Sequence, residues 1–448
     1  MNQVRLKTSW FLVLIGVLFA VVGFGQDYEQ APQLEEMVAA GDLPAVSERL
    51  PTEPLVVPVH EEIGTYGGDL RLSFAGGNSL VHFWRYHGYD YLLRWSPDWE
   101  SVIPNVAKSF DSSEDSTIFT FELREGMKWS DGAPFSADDI MFWYEDMLLN
   151  EEITPTISNN FLNSDGTPVV VEKIDDYTVQ FSFNESKGLF LLRLADVNTR
   201  ILFPKHYFSQ FHPNYNENAE ADADAAGADS WATHFLSMGG SGADGDYFGN
   251  ADMPVLTGWM ITVPPGTSTN RVIAERNPYY WKVDAEGNQL PYIDRIVYNL
   301  VEDTEVALLS ALNGEVDMQD QFIATDANKP VLFDNQERGG YSFFSTTPTA
   351  PNAAVIQLNL SHPDPVKREI FRSKDFRIGL SHAINREEII DLVFAGQAEP
   401  HQAGPRPESE LYNEQLSKQY TEYNPDLANE FLDKAGYAER DAQGFRLG

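Results

Sequence analysis

Cysteine is absent from the 448 residues of this chain, and basic residues are scarce. Against 68 Asp and Glu stand 31 Lys and Arg, a net charge of −37. Without cysteine there is no disulfide framework, no thiol chemistry and no thiol for a lipid anchor. Without basic clusters there is no surface for a phosphate backbone, which excludes nucleic acid as a partner. Long apolar runs are missing too, apart from one near the start. Trp10 to Phe24 is uncharged and follows Arg5 and Lys7, but at about 15 residues it falls short of the ~20 that span a bilayer. With small residues at Gly23 and Gly25, it reads as a signal peptide over 1–25, cleaved before Gln26. The mature chain is expected to be exported, free of lipid and periplasmic. The acidity suits solubility in salty surroundings, with attraction of cations as the other reading.

Aromatic residues are plentiful: 28 Phe, 19 Tyr and 9 Trp. About 420 mature residues exceed what one hydrophobic core organises, so two lobes are expected. Residues 26–65 carry Pro32, Pro44, Pro51, Pro54 and Pro58, which predicts an extended arm. Gly67-Gly68 opens an alternating strand over Asp69–Phe74, and an aromatic-rich loop follows to Leu92. Ile118 to Arg124 alternates apolar and polar residues as a half-buried strand does. Trp129-Ser130-Asp131-Gly132 is turn chemistry, and Ser136 with Asp139 forms a capping box before a helix over 137–150. A hairpin is predicted around Asp175-Asp176, and 216–250 reads as an Asp/Ala/Gly-rich surface excursion around a helical patch at Trp231–Leu236. Strands follow over Leu256–Val263, Val272–Arg276 and Ile296–Val301, then a helix over Thr304–Leu312. A further strand is predicted over Val355–Leu360, and a helix from Phe376.

Catalytic patterns fail one by one. His60-Glu61 begins a zinc-binding HExxH, but position 64 is Gly. Ser241 lies between Gly239 and Ala243, so there is no GxSxG elbow. Gly240 to Gly245 matches GxGxxG formally, yet no strand precedes it and acids surround it. Asp244, Asp246, Asn250 and Asp252 lack the spacing and the bidentate Glu of a calcium loop. No cofactor and no metal is expected. Chance carboxylate pairs are too many to argue a glycosidase dyad, so a secreted hydrolase on peptides or glycans stands as the alternative to binding.

Three ordered blocks resemble one family. They are Leu123-Arg124-Glu125-Gly126 with Asp131-Gly132-Ala133-Pro134-Phe135; Arg276-Asn277-Pro278-Tyr279-Tyr280-Trp281 with Tyr292-Ile293-Asp294 and Gly314-Glu315-Val316-Asp317; and Phe376-Arg377 through Ala383-Ile384-Asn385-Arg386. Together they resemble the peptide-type, family 5 substrate-binding proteins of ABC importers, in a long-chain subgroup. Gly379 and Asn385 depart from the family's Ala and Asp.

The resemblance implies an α/β, two-lobed periplasmic-binding-protein fold of type II. Lobe one would span 66–255 with an extra subdomain over about 110–200. Lobe two would span 260–448, with the crossing near Gly258. It also implies capture of peptides or oligosaccharides for a membrane ABC permease, by a monomer. Relatives continue past a point like Gly448, so lobe two is expected to be incomplete and the chain truncated. A protein ending there is expected to be less stable than a longer one and to bind peptide poorly. Candidate ligand contacts are Gly258, Trp259, Asn78, Trp84, Tyr86 and Asn359. Each aromatic can stack on ligand or pack a lobe or hinge, and the two asparagines sit at strand ends where a ligand could be met.

Overall fold

The computed structural model describes residues 28–75, 81–196, 199–242, 244–266, 270–319, 321–346 and 352–447. Twelve strands lie among them: β1 (Leu55–Val56), β2 (Asp69–Ala75), β3 (Leu93–Trp95), β4 (Val102–Pro104), β5 (Ala107–Ser112), β6 (Ile118–Leu123), β7 (Val170–Asp175), β8 (Thr178–Ser182), β9 (Trp259–Val263), β10 (Arg271–Arg276), β11 (Lys282–Val283) and β12 (Arg295–Val301). The chain divides into two compact units: Met1–Ala311 with Glu315–Gln319, and Leu312–Gly314 with Asp320–Gly448.

In the first unit the period-2 pattern of 118–123 is realised directly. Phe119, Phe121 and Leu123 are buried, while Glu122 on the opposite face is exposed and accepts a 2.8 Å bond from the Ser109 hydroxyl. β6 pairs antiparallel with β5 and β8, and β7 completes a four-stranded sheet in the order β5-β6-β8-β7. Phe181 faces Phe119 across the β6–β8 ladder. The turn after β6 forms as its residues dictate. Asp131 accepts from the Ala133 amide at 3.0 Å, and Gly132 takes φ 89°. Gly is required there twice over, since a Cβ would stand 2.8 Å from the Tyr279 hydroxyl. The capping box is complete: Ser136 Oγ accepts from Asp138 N, and Ser136 N donates to Asp139 at 2.9 Å.

The second sheet of this unit runs β2-β12-β10-β9. β2 lies parallel to β12 with Asp69 opposite Arg295, and the other two pairs are antiparallel. The return segment Glu315–Gln319 is fastened to β2: Arg71 binds Asp317 through both carboxylate oxygens at 2.7 and 2.9 Å, and Gln319 donates to Ser73 O at 3.0 Å. The stretch 28–65 is tied down by a small core of Ala31, Leu34 and Leu43 and by the β1–β11 ladder. The fully buried guanidinium of Arg49 accompanies them. It donates to Pro44 O and Gln289 Oε1 at 3.0 and 2.9 Å and also reaches Pro278 O and Gln30 Oε1.

β9, β10 and β12 hydrogen-bond into one sheet with β2, and the first compact unit runs on to Ala311. Two expectations are corrected. Residues 216–250 are no surface excursion: Trp231 and Phe235 lie in the main core, within ring contact of His212 and Phe142. Val355–Leu360 makes no strand, and Ile356 stays 72% exposed, since no partner strand lies beside it among the described residues.

The second unit is helical among the described residues. Five of its described helices start on side-chain caps, at Asp364, Ser373, Asn385, Asn413 and Asn424, residue types whose oxygens satisfy the first free amides. Asn385, the departure from the family's Asp, caps its helix by accepting from Glu388 N at 3.2 Å. Gly379 has a packing reason: a Cβ there would lie 2.7 Å from Leu432 Cγ and 3.0 Å from Ala428 O. The helix Lys374–His382 approaches Pro425–Lys434 too closely for a methyl group.

Candidate functional site

The segment Pro254–Trp259 enters β9 through the interior of the first unit. Asn277 holds it from both sides, its amide donating to Gly258 O and its side chain to Thr257 O, each at 2.9 Å. The Thr257 hydroxyl donates to Trp259 O at 2.8 Å, and Trp281 Nε1 donates to Leu256 O at 3.0 Å. Gly258 is buried, and a Cβ would stand 3.4 Å from the Tyr280 ring and 3.7 Å from Pro291.

Beneath this segment sits a buried charged network. Lys282 Nζ lies 2.6 Å from Asp90 Oδ1, with side chains only 4% and 7% exposed. The Tyr280 hydroxyl donates to the other Asp90 oxygen at 3.0 Å, and Asn105 adds a 3.4 Å bond. Lys282 also stands 4.7 Å from the centre of the Trp281 ring, which Arg124 approaches to 5.4 Å. Burial lowers the Lys282 ammonium's pKa, and Asp90 acts against that shift. Burial and Asp90 together raise the Tyr280 phenol well above its ordinary value.

Between Asp90, Trp129, Arg200, Tyr247, Leu256 and Thr257 remains a cavity of about 20 Å³. It has room for roughly one water molecule and not for a solute. Arg200 stacks its guanidinium 4.9 Å from Tyr247 and 5.4 Å from Phe248. The arrangement is that of a rigid floor, with charges paired and rings packed. Among the described residues no group of three or more His, Asp and Glu is placed to hold a metal ion.

The expected contacts distribute unevenly over this geometry. Gly258 and Trp259 belong to the Pro254–Trp259 segment, and the half-buried Trp259 spends its indole N–H on Ile293 O at 3.1 Å. Tyr86 is half-buried on the helix Val81–His87. That helix also carries Trp84, whose side chain lies outside the described residues, as does Asn78 altogether. Asn359 belongs to the other unit, where it is exposed and closes a turn by accepting from Ser361 N at 3.0 Å. Sequence reasoning missed Asp90, Lys282 and Arg200. Asp90 and Lys282 lie 192 residues apart, and no local pattern announces such a pair.

Residues 101–447 match the family described as bacterial extracellular solute-binding proteins, family 5, middle. Among curated relatives, the chain is 28% identical to the periplasmic alpha-galactoside-binding protein of Rhizobium meliloti, over 92% of this chain and 60% of that one. It is 25% identical to di/tripeptide-binding protein 1 of Pseudomonas aeruginosa, over 75% of this chain and 56% of that one. Among solved structures, an oligopeptide-binding protein OppA superposes with TM-score 0.72 at 38% identity, covering 94% of this chain and 65% of that one. The periplasmic binding protein MelB of Agrobacterium fabrum, in complex with stachyose, superposes with TM-score 0.66 at 24% identity, over 94% and 63%. The chain therefore spans about three fifths of the length of these relatives.

Proposed function

The chain belongs to the bacterial extracellular solute-binding proteins of family 5, and on that footing we propose that it captures a small solute for delivery to an ABC permease. The observation that carries the proposal is the family match over 101–447, with a fold shared with periplasmic binding proteins over 94% of the chain. Two ligand classes are in play. An oligopeptide is supported by the 38% identity to the protein named OppA. An oligosaccharide is supported by the relative named for alpha-galactosides, which aligns over 92% of the chain.

The chain acts as a binder and not as an enzyme. Relatives carry binding names, and the charged groups at the candidate site are locked in mutual pairs. It works in the periplasm, exported by the signal segment 1–25, as a monomer without lipid. No described helix is long and apolar enough to cross a membrane. On the first unit the proposed contacts are Gly258, Trp259, Tyr86, Asn78 and Trp84, and Asn359 is proposed separately on the second.

Thermal unfolding against peptide and oligosaccharide panels tests this. A ligand at 100 times its Kd stabilises by about 2.7 kcal/mol. A shift with one panel identifies the class, and no shift with either removes the support for solute capture. A turnover assay on the same panels tests the hydrolase alternative, and product formation would overturn the binding-only reading.

A further inference from the structure

Trp99 occupies a conformation and an exposure that its chemistry disfavours. Its φ is 63°, a left-handed value that suits Gly and is an outlier for a bulky side chain. It is also 66% exposed, above every other tryptophan whose side chain is described. Of the described non-glycine residues at positive φ, it alone is both large and exposed.

The turn between β3 and β4 holds it there firmly. Trp99 N donates to Ser96 O at 2.9 Å, and Ser96 N donates to Ser101 O at 2.8 Å. The Ser96 hydroxyl donates to Asp98 at 2.5 Å and accepts from Ser101 N at 3.1 Å, while Glu100 N donates to Asp98 at 3.1 Å. Beneath it, the Trp95 ring stacks on Trp99 with centroids 6.0 Å apart and 26° between planes. Trp95 in turn leans on the core. The indole is therefore a supported ledge.

The chemistry around the ledge selects its occupant. Asp98 and Glu100 flank Trp99, and no basic residue occurs between Trp95 and Ala107. Among the described residues neither acid forms an ion pair with a Lys or Arg. The bonds from Ser96 and Glu100 N hold Asp98 below the usual carboxylate range, so it stays charged. A π face beside two carboxylates attracts a cation, and a supported Trp is the residue type that anchors protein interfaces. We propose that Trp99, stacked on Trp95 and flanked by Asp98 and Glu100, is a docking point for a partner protein that presents an arginine or lysine side chain. This is independent of which solute the chain captures.

The test uses the full chain and an arginine-glycine repeat peptide as probe, read by the indole N–H signals in NMR. Trp99→Gly identifies the Trp99 signal by its loss and suits the φ 63° backbone, so its melting temperature should not fall. The Trp99 signal should shift on titration, and Trp99→Gly should weaken the peptide about two- to fivefold, the range of an exposed cation–π contact. Glu100→Gln should weaken it as well and flatten its salt dependence. Equal affinity in wild type and Trp99→Gly would overturn the proposal. So would a Trp99 shift produced by a neutral malto-oligosaccharide and not by the arginine peptide.

Discussion

The two units of this protein are organised by different interactions. In the first, aromatic rings remote in sequence close a dense core: Trp129, Trp281, Phe121 and Phe181 are inaccessible to solvent. Its polar groups are settled at long range, as in Asp90–Lys282 and Arg71–Asp317. In the second, structure is set locally, by helix caps and turns. The helix Arg386–Val393 starts on Asn385, yet leaves Leu392 and Val393 78% and 64% exposed. The signature motifs are equally recognisable in both units. A motif thus reports caps and turns faithfully, and says little about how much core lies behind them.

The contrast breaks first at Asp90. Asp90→Asn leaves the Lys282 ammonium buried without a counter-charge, which costs about 3–5 kcal/mol. A large drop in the urea midpoint is expected, and much of it should return in Asp90→Asn combined with Lys282→Met. A loss below about 1 kcal/mol would mean that the pair does not hold the first unit together.

Next comes pH. Burial raises the Asp139 carboxyl from 3.8 to about 6, against its bonds from Ser136 and Lys205 amides. A raised carboxyl pKa means that its contribution is fully present below 3.8 and is lost as pH rises through about 6. The span is about 3 kcal/mol at 1.36 kcal/mol per unit. His87 works in the opposite sense. Burial holds its imidazole at about 3 rather than 6.5, so its contribution is present above 6.5 and lost as pH falls. The test is therefore Asp139→Asn against wild type, in which His87 cancels. Wild type should gain on the variant between pH 7 and 4.5, and parallel curves would refute the assignment.

In the second unit, Gly379→Ala has a sign that is informative. Helix propensity alone predicts a gain of up to about 1 kcal/mol. The contacts at 2.7 Å to Leu432 and 3.0 Å to Ala428 O predict overpacking that costs about 1–3 kcal/mol. A net loss is expected in thermal unfolding, and a gain would mean that the two helices do not pack as closely as observed.

Much of this was legible in the sequence, and the division follows the same contrast. The strand 118–123, the Gly132 turn, the Ser136–Asp139 box and the hairpin at Asp175-Asp176 are local patterns, and the structure realises each. Val355–Leu360 has the alternation of a strand but no partner strand among the described residues, and alternation alone cannot supply one. That β9 joins one sheet with β2 was out of reach for a related reason, since sheet membership is a non-local property. At the candidate site, Gly258 and Trp259 were accessible through the family resemblance. The floor formed by Asp90, Lys282 and Arg200 was not, because its pairings connect stretches with no shared pattern.

Hydrogen exchange, with and without the panel member that raises the melting temperature most, tests the central claim most directly. Capture of a solute on the rigid floor of the first unit predicts slower exchange at Thr257–Trp259 and at Gly88–Tyr91. Saturation with that solute while both stretches exchange unchanged would contradict it.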